Sequence, residues 1–312
     1  MKTLLTICVV LFFALTANFA PADGVWTTID FPGAQKTQAV DADGDNIVGC
    51  YTVAGSNDQH GFLYNDKTIS WTALDAPGAQ GTKALGVSGA NIVGSFYYPT
   101  GVSHGFIYNY KTNIWTIFDM PESAGNIGNT FPSGIDGNNI VGRCVILLLP
   151  SLAYKSVGFL YDRKTWKIID GPESSESTAT YPYAISGNYV VGYYTVNGWN
   201  GHHGFLYDYV AKTWTTLDFP EAVLTEAYGV SGNYVVGTYT GDGVHYHGFL
   251  YDCVAKKYTV IDFPGATYTT PSGISGGKVV GSFGYRGFIY TFQPAPTPTP
   301  KPTGVAVWSI YQ

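Results

Sequence analysis

One pattern is written six times along this chain, and that repetition limits it to a small set of folds. Three phrases recur in fixed order. The first is Trp-Thr-x-x-Asp or a near variant: Trp26 to Asp30, Trp71 to Asp75, Trp115 to Asp119, Trp166 to Asp170, Trp214 to Asp218 and Tyr258 to Asp262. The second is Ile/Val-Val-Gly, ending at Gly49, Gly94, Gly142, Gly192, Gly237 and Gly281. The third is (His)-Gly-Phe-Leu/Ile-Tyr, with glycine at 61, 105, 158, 204, 248 and 287, so that copies lie 44, 53, 46, 44 and 39 residues apart.

That spacing suits one propeller blade, and four strands fit each period. In the second repeat, strand one runs up to the turn Gly86-Val87-Ser88-Gly89, and strand two is Asn91 to Tyr97. Strand three is His104 to Tyr108, and strand four is Ile114 to Asp119. Ser-Gly, Asp-Gly and Gly-Asn supply the positive φ that tight hairpins need. Ile92-Val93 and Phe106-Ile107-Tyr108 put bulk on both faces, as in a sheet packed between neighbouring sheets. The 39 Gly, 25 Tyr and 17 Phe, with 12% charged residues, favour short strands over helices. The expected fold is all-β: a six-bladed β-propeller of four-stranded blades. The chain opens on a lone fourth strand (Trp26 to Asp30) and the repeats end on a third (Gly287 to Tyr290). Pairing the two completes the last blade and removes two exposed edges.

The ends carry separate signals. Lys2 followed by the apolar run Leu4 to Ala17 predicts a signal peptide over 1–22, hence export and no transmembrane span in the mature chain. The propeller is expected over 23–293. Alternate prolines make 294–303 a stiff linker, and 304–312 is a short tail or the start of a further module. With net charge −6 and 16 dispersed basic residues, nothing favours nucleic acid as a partner. Cys50, Cys144 and Cys253 are too few for a disulfide framework.

With its phrases set side by side, the chain resembles the bacterial extracellular HAF-repeat family. The residues that carry the likeness are Ala84-Leu85-Gly86-Val87, Ile92-Val93-Gly94 and His104-Gly105-Phe106-Ile107, with cognates in each repeat. Val157 and Arg286 depart from the histidine, and Asp41 and Ala184 from the first glycine. The resemblance implies export and a repeated β architecture, and carries over no reaction and no catalytic residues.

Features present in every blade are expected to hold blades. His60, His104, His203 and His247 share one repeat position, too far apart for a common metal, and are expected to bond backbone in their own blade or the loop beside it. Asp30, Asp75, Asp119, Asp170, Asp218 and Asp262 are expected to bond turn amides on the crossover to the next blade. Asp41 to Asn46 has the look of a calcium loop but aligns without insertion on an ordinary hairpin turn. The sequence therefore predicts no metal, no cofactor and no catalytic set. No nucleophile elbow, zinc-protease helix or phosphate loop is present.

What breaks the repeat carries the functional candidates. Glu173, Glu176, Glu221, Glu226, Asp242, Arg143 and Arg286 are charged exceptions without a recognised constellation. Loops between strands two and three carry aromatics, with Tyr98, Tyr194, Trp199, Tyr239 and Tyr246 the candidate ligand-binding residues. The insertion Val145 to Pro150 reads as an extended hairpin. The leading expectation is a secreted, non-catalytic binding or scaffold module that recognises an extracellular polymer, glycan before protein, through its loop face. Two alternatives stand beside it: an envelope-associated protein-interaction repeat, and a carbohydrate-active enzyme with its site at the central opening. The last is expected to show two convergent, non-repeated carboxylates in one pocket, and their absence would count against it.

Overall fold

The computed structural model describes residues 24–99, 101–121, 126–148, 153–172, 179–196 and 201–293. The signal peptide expected at 1–22, the linker at 294–303 and the tail at 304–312 lie outside the described residues. Among the described residues no helix is long and apolar enough to cross a membrane.

Six four-stranded antiparallel sheets form the blades. Blade 1 is β2 (Lys36–Asp43), β3 (Asn46–Thr52), β4 (His60–Asn65) and β5 (Ser70–Leu74); blade 2 is β6 (Gly81–Ser88), β7 (Asn91–Tyr97), β8 (Ser103–Asn109) and β9 (Ile114–Phe118). Blade 3 is β10 (Asn126–Asp136), β11 (Asn139–Leu148), β12 (Ala153–Tyr161) and β13 (Trp166–Ile169). Blade 4 is β14 (Ala179–Ser186), β15 (Tyr189–Thr195), β16 (His202–Asp208) and β17 (Thr213–Leu217). Blade 5 is β18 (Leu224–Ser231), β19 (Tyr234–Thr240), β20 (His247–Asp252) and β21 (Lys257–Val260). Blade 6 joins β22 (Thr270–Ser275), β23 (Lys278–Phe283) and β24 (Arg286–Thr291) to β1 (Val25–Ile29). The first strand of each blade touches those of both neighbours, β22 meeting β2, so six first strands surround one axis.

Closure by the N-terminal strand is as the repeat phase predicts: β1 pairs antiparallel with β24, from Val25 opposite Thr291 to Ile29 opposite Gly287. The insertion in the third repeat lengthens the β11–β12 hairpin, with Leu147 opposite Tyr154.

The recurring phrases explain the packing. The phenylalanine of the third phrase (Phe62, Phe106, Phe159, Phe205, Phe249, Phe288) is fully buried in every blade. The glycine of the second phrase makes room for it. A Cβ on Gly94 would lie 1.9 Å from the Lys83 carbonyl oxygen and 3.0 Å from the Phe106 ring. The fourth-strand tryptophan covers the assembly, Trp115 lying 4.9 Å from Phe106 and 4.4 Å from Tyr108. Each core is shared between blades, as where Val48 of blade 1 packs with Ala84, Ile92 and Phe106 of blade 2.

Two hydrogen-bond sets lock the ring. Near the start of each blade a buried threonine accepts the amide of the crossover from the preceding fourth strand. Thr37 Oγ1 takes Phe31 N (2.9 Å), Thr82 takes Ala76 N (3.0 Å) and Thr130 takes Met120 N (3.0 Å). Thr180 takes Gly171 N (2.7 Å), Thr225 takes Phe219 N (3.0 Å) and Thr269 takes Phe263 N (2.9 Å). At the opposite end of the first strands, turn amides reach the preceding blade: Gly89 N to Asp43 Oδ2 (2.7 Å), Gly187 N to Asp136 Oδ2 (2.7 Å) and Gly276 N to Ser231 Oγ (3.2 Å). Gly44 N to Ser275 Oγ (3.1 Å) extends this set across the join of blades 1 and 6.

Because the hydroxyl satisfies a buried amide, Thr225→Val is expected to cost about 1–3 kcal/mol by leaving Phe219 N–H unpaired, whereas Thr225→Ser keeps most of that stability. Urea unfolding of the two variants distinguishes the lost acceptor from lost packing.

Candidate active site in the axial cavity

Every first strand carries a register shift against its second strand at the same place: Ala39/Asp41, Ala84/Gly86, Pro132/Gly134, Pro182/Ala184, Ala227/Gly229 and Pro271/Gly273. The extra residue of a β-bulge is unpaired and its side chain is re-aimed. Here the six extra residues are Val40, Leu85, Ser133, Tyr183, Tyr228 and Ser272, and all six line one axial cavity of about 500 Å³. A lobe of about 460 Å³ continues it over blades 2 to 4, reaching Tyr97, Arg143 and Tyr181. Just below, backbones close to a waist. A Cβ on Gly273 would lie 2.6 Å from the Asp41 Cα, and one on Gly134 2.7 Å from the Tyr183 carbonyl oxygen. Asp41 and Ala184 occupy this level and line both the cavity and the smaller space beyond it.

Cavity residues vary from blade to blade, and their chemistry segregates. Blades 1 to 3 contribute Lys36, Lys83 and Arg143. Arg143 stands opposite Phe131 in the β10–β11 ladder, its guanidinium 4.2 Å from that ring's centre and 5.7 Å from that of Tyr181. Blades 4 and 5 contribute an aromatic wall of Tyr181, Tyr183 and Tyr228, and Glu226 is bonded to the last of these. Glu226 and Tyr228 are two apart on β18, and the Tyr228 hydroxyl donates to Glu226 Oε2. The other oxygen, Oε1, pairs with His202 Nδ1 at 2.5 Å. The His202 ring stacks on Tyr193 (4.6 Å), which stacks on Tyr181 (4.7 Å), while Tyr183 meets Tyr228 edge-on at 4.8 Å.

Burial raises the phenols, with the Glu226 charge adding to it. Tyr183 is pushed up to about 12, and Tyr193 and Tyr228 also rise. These hydroxyls therefore remain proton donors at neutral pH. The cluster is a carboxylate fixed by two neighbours, one a phenol that holds a transferable proton. That is acid–base chemistry.

Of the charged exceptions in the sequence, Arg143 lines this cavity system, and Glu226 is bonded to Tyr228, which also lines it. Glu221 is exposed at a turn, Asp242 bonds His245 on a loop (2.6 Å), and Arg286 pairs with Asp30 (2.6 Å). Glu173, Glu176 and Trp199 lie outside the described residues. Of the loop aromatics, Tyr194 is 7% exposed and stacks on His203 (5.4 Å), and Tyr239 lies 3.6 Å above Phe219. Tyr98 packs edge-on against Phe96 (5.3 Å), and the half-buried Tyr246 is raised by burial and then by the Glu226 charge. His202, Tyr183, Tyr193, Tyr228, Lys36 and Lys83 were not singled out as a site. Lys83, Tyr183 and Tyr228 follow the repeated threonine at positions where the repeats disagree, while Lys36 precedes it and Tyr193 and His202 lie on second and third strands.

The repeated polar residues bond within their blades, but not to the expected partners. His60, His104, His203 and His247 each meet the aspartate fifteen residues on (Asp75, Asp119, Asp218, Asp262) at 2.7–3.0 Å, where backbone was expected. Asp119 and Asp262 also accept the amides of Gly105 and Gly248, so the aspartate ties strand four to strand three and not to the crossover. Where the histidine is missing a cation replaces it, Lys155 pairing with Asp170 (2.8 Å) and Arg286 with Asp30. In the loop with a calcium look, Asp41 and Asp43 accept the amides of Val87 and Gly89 in the next blade. The three cysteines are free thiols.

No family model and no curated protein matches the sequence. The fold resembles solved propellers. The β-propeller domain of the trilobed protease from Pyrococcus furiosus matches at 13% identity and TM-score 0.52, over 82% of this chain and 94% of that one. Pyrococcus horikoshii acylaminoacyl peptidase matches at 12% and 0.50, over 80% of this chain, which spans 42% of the peptidase. A catalytically inactive virginiamycin B lyase from Staphylococcus aureus matches at 9% and 0.50, over 87% of this chain and all of that one. At these identities the likeness is one of fold. The expectation of a non-catalytic module is nonetheless corrected. The matched propellers belong to peptidases and a lyase, so a propeller of this fold is not of itself a non-catalytic module.

Asp41 gives the cavity floor a pH dependence. Burial pushes its carboxyl up to about 7, although the Val87 and Ala42 amides pull the other way. The folded value lies above the unfolded one, so the stability tied to the protonated form is full below about pH 4 and is lost as pH rises through 7. Asp41→Asn is expected to gain on the native chain across that window, by on the order of 2–4 kcal/mol, and to hold a constant advantage above it. Urea unfolding at pH 4, 5.5 and 8 measures the gain.

Proposed function

We propose that the chain is an exported carbohydrate-active enzyme that cleaves glycosidic bonds in its axial cavity, with Glu226 and Tyr228 as the proton-transfer pair. The carrying observation is the Tyr228–Glu226–His202 cluster, whose Tyr228 lines the cavity. Export rests on the apolar run Leu4 to Ala17, and the repeat phrases support a place beside the HAF-repeat proteins.

The lining suits a sugar. Gln38, Gln59, Ser133, Thr270 and Ser272 offer donors and acceptors, and Tyr183, Tyr228, Tyr268 and Tyr285 supply rings for the apolar face of a pyranose. A hydrolase with two carboxylates is not the form this site takes. The carboxylate that lines the cavity, Asp41, already accepts Val87 N at 2.9 Å at the waist. The pair is instead carboxylate and phenol: Glu226 takes a proton, Tyr228 delivers one, and His202 holds the carboxylate in place.

Glu226→Gln is expected to lower turnover by about 10²–10⁴-fold, and Tyr228→Phe by about 10²-fold, with the unfolding midpoint little changed. Release of new sugar ends from a panel of neutral and acidic polysaccharides is the measurement. No release from any of them by the native chain, or equal release by Glu226→Gln, would defeat the reading.

A further inference from the structure

Three cations enter the axial cavity system from three consecutive blades: Lys36 from blade 1, Lys83 from blade 2 and Arg143 from blade 3. Among the described residues none of them has a carboxylate within ion-pair distance, whereas Lys155, Lys278 and Arg286 elsewhere all do. They are not part of the repeat. The residues that correspond to Arg143, each following the glycine of the second phrase, are Cys50, Ser95, Tyr193, Thr238 and Ser282. Arg143 is also pre-set, its guanidinium carbon lying over the Phe131 ring at 4.2 Å and near that of Tyr181 at 5.7 Å. In a protein of net charge −6, so placed a group of positive charges concentrates anions from solution.

We infer that the substrate is an acidic carbohydrate, a uronate-bearing chain whose carboxylate is bound by Arg143 and Lys83 while the adjoining bond faces Glu226. The inference rests on the carbohydrate reading above and specifies its reaction. A carboxylate neutralised by two cations acidifies the proton on the neighbouring C5. Glu226 takes that proton, the C5–H electron pair forms the C4=C5 double bond, and the C4–O bond breaks. The leaving oxygen takes the Tyr228 proton, and the phenolate recovers one from Glu226 along the hydrogen bond they already share. Atoms and charge balance without a co-reactant, and the products are a shortened chain and an unsaturated uronate.

The test uses the full chain with tetramers of galacturonate, mannuronate and glucuronate, each beside its carboxyl-reduced neutral counterpart. Calorimetry reads binding, and ultraviolet absorbance of the new double bond reads cleavage. At least one acidic tetramer is expected to bind about tenfold or more tightly than its neutral form, and Arg143→Gln and Lys83→Gln each to lose about tenfold. Glu226→Gln is expected to keep the preference for charge and to form no unsaturated product. Equal binding of acidic and neutral forms, binding untouched by both cation variants, or no binding of any tetramer would overturn the inference. Cleavage of a neutral glycan that Glu226→Gln abolishes would overturn it too, while leaving the carbohydrate reading intact. Cation-dependent binding of an acidic tetramer without turnover by the native chain would leave the acidic ligand standing and overturn both the elimination and the enzymatic reading.

Discussion

The rest of the architecture depends on the hydrogen bond from each crossover amide to the threonine hydroxyl near the start of a blade. A chain leaving the outer fourth strand must return to the axis, and on arrival it buries a backbone N–H that no strand pairs. Thr37, Thr82, Thr130, Thr180, Thr225 and Thr269 supply the acceptor, on a side chain whose shape otherwise matches valine. The bond fixes where each blade begins relative to the one before. Repeated six times around a closed ring, it leaves no blade free to slide alone. The bulge follows three residues after each threonine or nearly so, and inherits that position.

This arrangement separates two duties that would otherwise compete. The phenylalanine, paired hydrophobics and tryptophan of each repeat stabilise the interfaces between blades and admit little variation, because their neighbours are equally crowded. Bulged residues are unpaired and point into open space, so Val40, Leu85, Ser133, Tyr183, Tyr228 and Ser272 can differ at little cost to the ring. A sixfold scaffold thereby holds a cavity with no sixfold character, cationic on blades 1 to 3 and aromatic on blades 4 and 5. An asymmetric substrate needs such a wall. A pair of unlike groups needs unlike environments to hold different protonation states, and identical copies cannot provide them.

The same separation accounts for what could be read from the sequence. Blade number, strand order and closure follow from phrases several residues long whose periods agree, and the structure has all three. Glu226 and Arg143 stood out as charges that sister repeats lack. Their link was not legible, because they lie on different blades and are connected only through Tyr181, Tyr193 and His202 in the folded ring. Tyr183, Tyr193 and Tyr228 were hidden by composition, as three tyrosines among 25 carry no signal until a bulge aims two of them at the axis. The threonine escaped for a different reason: it is a single invariant residue between variable ones, too short to count as a phrase. The histidine–aspartate pairs lay in plain view as two repeated residues, but their contact needs the strand-three to strand-four register, which sequence spacing alone does not give.

The departures at the waist complete the picture of the cavity. Gly86, Gly134, Gly229 and Gly273 let neighbouring backbones approach closely, and Asp41 and Ala184 are the two exceptions at that level. Asp41 reaches across to the Val87 amide, so the carboxylate is spent on joining blades 1 and 2 and does not neutralise the lysines above it. Cys50 does not neutralise them either. Burial pushes its thiol up to about 11 even though Lys83 and Lys36 pull it down, so it stays uncharged at neutral pH. With the thiol protonated and Asp41 engaged below, the positive field of blades 1 to 3 is left facing the cavity, where an anion from solution can meet it.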